Sequence, residues 1–159
     1  MRGSILVDGN PIAYSTPTDD DFKYQRQYED GPLWAPITGY FSNTQGLTGI
    51  ESAMNQDLAG IGDGQFFSRF MNTVSGVEPQ GSSVELTIDP AAQAAAAEGM
   101  DGLEGAVVAL EPKTGQVLAL VPTPSFDPNP LSSTNDADII TDYHHYEAAP
   151  ARPPPKRAP

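Results

Sequence analysis

The chain has 159 residues and a formal net charge of −13, from 21 acidic against 8 basic side chains. The length allows one domain, or one and a part, and the charge argues against nucleic acid or an anionic membrane surface as a partner, since both carry the same sign. There is no cysteine, which excludes disulfides and thiolate metal or redox sites, and no apolar run reaches the roughly 18 residues of a spanning helix.

In chain order, Ser4-Ile5-Leu6-Val7 and Pro11-Ile12-Ala13-Tyr14 flank Asp8-Gly9 and predict a hairpin. Asp19, Asp20 and Asp21 follow Pro17 and Thr18 and form a solvated, turn-like acidic patch. Phe22, Tyr24, Arg26 and Tyr28 alternate with Lys23, Gln25 and Gln27, the period-two pattern of a half-buried strand. Residues 31–41 hold two prolines and two glycines among Trp34, Tyr40 and Phe41, and read as an ordered loop pinned by aromatics. Thr48 and Glu51 have the T-x-x-E spacing of a capping box. The helix it starts carries Ile50, Ala53, Met54 and Leu58 as an apolar stripe and stops at Gly60. A second short helix is expected over 65–74, with Phe66, Phe67, Phe70 and Met71 buried, and a polar loop over 75–83.

Residues 84–88 alternate as a strand with Val84, Leu86 and Ile88 inward. Asp89 is placed to cap a helix and Pro90 to occupy its first position. Residues 91–97 are alanine except for Gln93, and Gly99 or Gly102 supplies a stop. The stretch 105–120, GAVVALEPKTGQVLAL, predicts a hairpin whose turn is shaped by Pro112 and Gly115. Both its strands are apolar on both faces, the pattern of a sheet interior. Residues 122–130 are too rich in proline for helix or central strand, and residues 134–159 end in a basic, Pro-rich, extended tail.

Three features imitate chemistry. Lys113-Thr114-Gly115 spells one motif of the serine penicillin-recognising enzymes. Its place between Pro112 and the glycine puts the lysine at a solvated turn tip. His144 and His145 are adjacent and point apart in extended chain, a poor metal pair. Asp136, Asp138 and Asp142 lack the glycine and spacing of a calcium loop. No cofactor and no metal is expected.

The ordered set of motifs resembles the class B penicillin-binding proteins, and within them the actinobacterial elongation or division type. Arg2-Gly3-Ser4-Ile5 with Asp8-Gly9 and Ile12-Ala13 is similar to their R-G-x-I-x-D-x-x-G-x-x-L-A opening, with a tighter Asp-to-Gly spacing. Ile37-Thr38-Gly39-Tyr40 and Gly49-Ile50-Glu51 resemble the segments that follow. Thr87-Ile88-Asp89 with Gln93 resembles their T-I-D-x-x-x-Q signature. The block from Gly105 through Pro112, Thr114, Gly115, Pro124 and Phe126 resembles their first transpeptidase hairpin, and Asp127-Pro128-Asn129 fits the same block.

The resemblance implies an α+β fold. Residues 1–83 would be an irregular, β-rich pedestal (dimerisation) domain with short helices. Residues 84–133 would be the strand, helix and β-hairpin that begin the transpeptidase sheet, left incomplete, and residues 134–159 a Pro-rich tail. It also implies a D,D-transpeptidase parent that cross-links peptidoglycan through an acyl-serine, anchored at the extracytoplasmic face of the plasma membrane. In this chain only Met1 precedes Arg2, upstream of which the family has its membrane helix, and no serine is followed three residues later by lysine. Ser133-Thr134-Asn135 spells S-x-N and Lys113-Thr114-Gly115 spells K-T-G, in the reverse of the catalytic order. Residues 151–158 faintly resemble a family segment shortly before the nucleophile. The expectation is therefore a non-catalytic fragment that acts as scaffold and binds other cell-wall synthesis or division proteins, the missing transpeptidase domain or a second copy. An independent acidic binding module of the envelope and a small active acyl-serine enzyme are the alternatives.

Overall fold

The computed structural model describes residues 1–62, 80–133 and Ile139. Strand β1 (Ile5–Val7) turns through Asp8 and Gly9, both at positive φ (50° and 73°), into β2 (Asn10–Pro17). Two consecutive left-handed residues make the tight turn that matches the twist of an antiparallel pair. β2 runs on to pair with β3 (Tyr24–Tyr28), with Ala13 opposite Tyr28. The expected alternation holds within β3, where Arg26 and Tyr28 face inward, whereas Phe22 lies before the strand and is exposed. In the loop between β2 and β3, Asp20 Oδ1 accepts from Thr18 Oγ1 (2.8 Å) and from the Phe22 amide (3.0 Å), so this acid shapes a turn.

Residues 31–41 depart from the loop reading. Gly31–Thr38 is a helix, α1, with Pro36 inside it. Pro32 sits in the first turn, where no amide partner is lost. Pro36 has no amide to offer the Pro32 carbonyl, and that carbonyl instead accepts from Ser125 Oγ at 2.6 Å. The helix ends at Gly39 (φ 66°), where a Cβ would run into the backbone of Thr48. The short pair β4 (Phe41–Ser42) and β5 (Gly46–Leu47) leads to α2 (Gly49–Ala53) and α3 (Asn55–Leu58), separated at Met54. The helix start after Thr48 is as expected, and Gly60 (φ 72°) follows the helical turn of α3. The capping box is not formed: Thr48 makes no side-chain cap, and its Oγ1 accepts from the Tyr40 amide (3.1 Å). Of the expected stripe, Leu58 is fully buried and Ile50 partly so, but Ala53 and Met54 face solvent because the break rotates them outward. The helix expected over 65–74 lies outside the described residues, as do His144, His145, Asp136, Asp138, Asp142 and the tail.

Strand β6 (Val84–Leu86) returns to lie parallel to β1, with Ile5 opposite Val84. The main sheet therefore has the order β3-β2-β1-β6. Ile5, Val7, Ile12, Ala13 and Tyr28 from the sheet pack with Trp34, Ile37, Leu58 and Ile88 as one core. Each large apolar side chain removed from water there contributes about 1.5–3 kcal/mol. Asp89 caps α4 (Pro90–Gly99) by accepting from the Ala92 amide at 2.9 Å, with Pro90 in the first turn. The hairpin follows as β7 (Gly105–Leu110) and β8 (Val117–Thr123), with Gly115 at φ 77° and its amide on the Glu111 carbonyl (2.8 Å).

The expectation that both hairpin strands are interior is met only in part, and only in β8. Ala119 and Val121 of β8 are buried, at 1% and 6% exposure, whereas Val108 and Leu110 of β7 are 53% and 57% exposed. Among the described residues β7 has β8 as its sole strand partner. The fold class is α+β, as expected. No helix among the described residues is long and apolar enough to cross a membrane.

Candidate functional site

The region of densest chemistry is a buried ion cluster between β1, β3 and α2. Glu51 is fully buried, and its two carboxylate oxygens each take a guanidinium: Arg2 Nε on Oε2 and Arg26 Nε on Oε1, both at 2.6 Å. Burying a carboxylate costs several kcal/mol unless partners restore what water supplied. That cost explains why Glu51 is not used for an N-terminal cap, whose worth is only about 1 kcal/mol. Tyr28 Oη also donates to Glu51 Oε1 (3.2 Å) and accepts from the Phe41 amide (2.7 Å). Burial, and then the negative charge of Glu51, push the Tyr28 phenol well above its ordinary value.

The two arginines carry the cluster into the backbone. Arg2 reaches Asn55 Oδ1 (2.8 Å) and the Glu51 carbonyl (2.7 Å), and its guanidinium lies 4.9 Å from the centre of the Phe41 ring. Arg26 Nη1 donates to the Gly3 carbonyl (2.7 Å). Gly3 is needed for close approach, since a Cβ there would collide with the Ser82 carbonyl. The opening motif thus does one job. Arg2 holds Glu51, Gly3 lets the returning segment at Ser82 pass, and Asp8-Gly9 turns the chain.

A second set of contacts joins this core to the hairpin through primary amides. Gln93 is fully buried in α4. Its Oε1 accepts from the Leu120 amide (2.8 Å), and its Nε2 donates to the carbonyls of Leu120 and Leu33 (both 3.1 Å). It pairs with β8 as a neighbouring strand would, and ties α4 and α1 to it. Asn129 does the same to β3: Oδ1 accepts from the Tyr28 amide (2.8 Å) and Nδ2 donates to the Tyr28 carbonyl (2.9 Å). Asp127 Oδ1 holds that amide in place by accepting from Asn129 Nδ2 at 2.9 Å. A primary amide sets an acceptor beside an NH2 with two donors, so it can close the edge of a strand without a third strand and still reach another partner.

The remaining motif residues serve the same junction. Thr87 Oγ1 donates to the Val117 carbonyl (2.8 Å) and the Asp89 amide to Leu118 (2.9 Å), so the end of β6 grips the start of β8. Ile88 is in the core and Pro128 is fully buried. Phe126 meets Tyr40 edge-on at 6.4 Å, and Pro124 follows a cis peptide bond. Gly105 opens β7. Pro112, Thr114 and Gly115 form the exposed turn with Lys113, and Thr114 Oγ1 donates to Gln116 Oε1 (3.1 Å). The structure therefore brings together Arg2, Gly3 and Glu51, and separately Thr87, Asp89 and Gln93. It leaves Lys113, Thr114 and Gly115 exposed and outside both sets.

Sequence reasoning missed Arg26, Tyr28, Asn55 and Ser125 as members of these clusters. Arg26 had left a signal: a cation on the aromatic face of a strand needs a buried counter-ion, and Glu51 supplies it. Among the described residues no group of three or more histidine or acidic side chains is placed to hold a metal ion.

Comparison with known proteins bears on this arrangement. The family described as the penicillin binding protein A dimerisation domain matches residues 2–84, which include Arg2, Gly3, Arg26, Tyr28 and Glu51. The chain is 42% identical over 141 residues to the peptidoglycan D,D-transpeptidase PbpA of Mycolicibacterium smegmatis, covering 86% of this chain and 28% of that protein. It is 38% identical over 163 residues to PbpA of Mycobacterium tuberculosis, covering 99% of this chain and 33% of the relative. The crystal structure of PBPA from M. tuberculosis superposes with a TM-score of 0.93, over 97% of this chain and 36% of that one. The chain thus spans about a third of the length of these curated relatives. It belongs to the class B penicillin-binding proteins, in the family of the penicillin binding protein A dimerisation domain.

Proposed function

We propose that this chain is a non-catalytic scaffold: the pedestal of a peptidoglycan D,D-transpeptidase, joined to the strand, helix and hairpin that open its transpeptidase domain. Residues 1–83 form the pedestal and 84–133 the lead-in, and the Pro-rich residues 134–159 follow them. In the parent the pedestal would hold the catalytic domain off the membrane, at its extracytoplasmic face, and offer surfaces to cell-wall synthesis or division proteins or to a second copy. The observation that carries this reading is the half-covered hairpin. A ribbon that buries Ala119 and Val121 of one strand and exposes Val108 and Leu110 of the other supports further strands as its natural neighbours. The absence of any S-x-x-K in these 159 residues adds that the acylating serine is not in this chain.

Incubation with a fluorescent penicillin tests the non-catalytic part. No covalent adduct is expected, and an adduct on this chain would end the reading in favour of a small acyl-serine enzyme. Sedimentation of the chain and pull-down with cell-wall synthesis proteins test the scaffold part. A monomer that captures glycan strands and no protein would instead favour an independent binding module.

A further inference from the structure

We propose that β7 is a docking edge for a second copy of this chain, joined strand to strand about a two-fold axis at Val108. This rests on the reading of the hairpin as an unfinished sheet, and adds to it the partner, the direction and the register. Gln93 sets the phase. Its side chain takes both the N–H and the C=O of Leu120, so both point away from β7. Val108 stands opposite Leu120, and Ala106 opposite Pro122, which has no N–H to give. Leu110 stands opposite Val117, whose carbonyl is turned outward to Thr87 Oγ1. Residues opposite each other in an antiparallel pair either exchange both bonds or turn both away. The backbone groups of Ala106, Val108 and Leu110 therefore point out of the hairpin, and no other strand of the described residues takes them. β7 has no charged side chain and no proline, the usual guards of a free edge. Its register shift adds a residue to β8 and leaves β7 regular.

Symmetry and charge choose the occupant. In an antiparallel pair of β7 strands the same residues face each other and exchange bonds, so the two copies are equivalent. A parallel neighbour bonds the residues that flank the one opposite, which makes the copies unlike. Centred on Val108, the pair sets Leu110 of each copy against the small Ala106 of the other. Sliding by two residues one way brings Pro112 against Ala106, and the other way sets Leu110 against Glu104. The antiparallel sense also turns Lys113 of each copy towards Glu104 of the other, whereas the parallel sense sets Glu104 beside its own copy. Glu111, the other charge at that end, accepts from the Lys113 amide (3.2 Å). Val108 and Leu110, more than half exposed, gain cross-strand apolar neighbours. Repulsion between copies, each at −13, is screened beyond about 8–10 Å at physiological salt. The dimerisation-domain match ends at residue 84, so this edge lies outside it.

The test is sedimentation of the whole chain over a concentration series, with amide hydrogen exchange read by NMR at both ends of the series. A dimer is expected in which the amides of Ala106, Val108 and Leu110 slow several-fold, while those of Val107 and Ala109, already bonded to β8, stay unchanged. Association without that alternation would overturn the proposal. Val108→Pro removes an amide that β8 does not use, so the hairpin should stay formed and the chain become monomeric. The chain has no natural cysteine, and a second pair of variants decides even where proline disturbs the fold. Val108→Cys should cross-link to its own copy under mild oxidation, because facing residues lie about 5.5 Å apart. Leu110→Cys should not, because it lies about 13 Å along the strand from its counterpart. A dimer that persists in a folded V108P, or that cross-links equally well through L110C, would overturn the proposal. A monomer whose β7 amides exchange fast would overturn it and leave the unfinished-sheet reading standing. A monomer with β7 as its most protected strand would overturn both.

Discussion

The two ends of this molecule solve opposite problems. Around Glu51 the chain buries charge and pairs it from within: Arg2, ahead of β1, and Arg26 and Tyr28, both on β3, meet on one carboxylate. At the hairpin the chain exposes apolar surface: Leu103, Val108 and Leu110 are each more than half exposed. The pedestal is thus closed on itself where its chemistry is most demanding, and the hairpin is open where its side chains are least demanding. Between them lie the amide clamps, which finish strand edges with side chains. The contrast predicts that pedestal substitutions cost global stability, clamp substitutions cost local stability, and substitutions on the outer strand cost almost nothing.

The sharpest way to break the contrast is Glu51→Ala. It leaves Arg2 and Arg26 buried without their anion, and loss of one partner of a buried pair costs about 3–5 kcal/mol. Urea unfolding should show the pedestal transition at far lower denaturant, with Glu51→Gln nearly as damaging. A loss below about 1 kcal/mol would mean that the cluster is a wet surface pair. Next comes Gln93→Leu, similar in size but unable to pair. It strands the Leu120 amide and the carbonyls of Leu120 and Leu33, at about 2–3 kcal/mol in sum. The expected sign is local: faster hydrogen exchange at Leu120 and its neighbours in β8, with the amides of β1 and β2 unchanged.

Tyr28→Phe should cost about 1–2 kcal/mol at neutral pH, since two hydrogen bonds to the hydroxyl are lost. Its pH dependence carries more information. The buried phenol keeps its proton to higher pH in the folded state than in the unfolded chain. Its contribution is therefore full below the ordinary tyrosine value near 10 and falls as pH rises from there towards the raised folded value. The gap between the natural chain and Y28F should narrow above about pH 10, read by urea midpoints at pH 8 and 10.5. A constant gap would show that Tyr28 ionises without unfolding the cluster.

Much of the frame was legible in the residues. Asp8-Gly9, the β3 alternation, the Asp89-Pro90 helix start and the hairpin of residues 105–120 each rest on local geometry, which a sequence states directly. What failed was long-range. α1 looked like a loop because Pro36 breaks a helical hydrogen bond, and the group that mends it, Ser125, lies 93 positions from the Pro32 carbonyl. The capping box was misread because Glu51 had a better use than a cap, and its partners are 49 and 25 residues distant. Gln93 stood out as the one interruption in an alanine run, but nothing local told which backbone it would face.

The smallest expected effect bears on the open end of the comparison. Val108 and Leu110 are 53% and 57% exposed, so Val108→Lys with Leu110→Glu removes little buried area, and such surface changes stay within about ±0.5 kcal/mol. Stability should be flat. Association should not be, because β7 has a free edge among the described residues and an apolar outer face, the combination that templates pairing with another copy. Sedimentation across a concentration series should show the natural chain associating and the charged variant monomeric. Hydrogen exchange in the natural monomer should show β7 less protected than β1 and β2. If β7 were instead the most protected strand, or if the double variant lost several kcal/mol, the outer face would be covered after all. The hairpin would then be a finished part of this chain rather than an unfinished sheet.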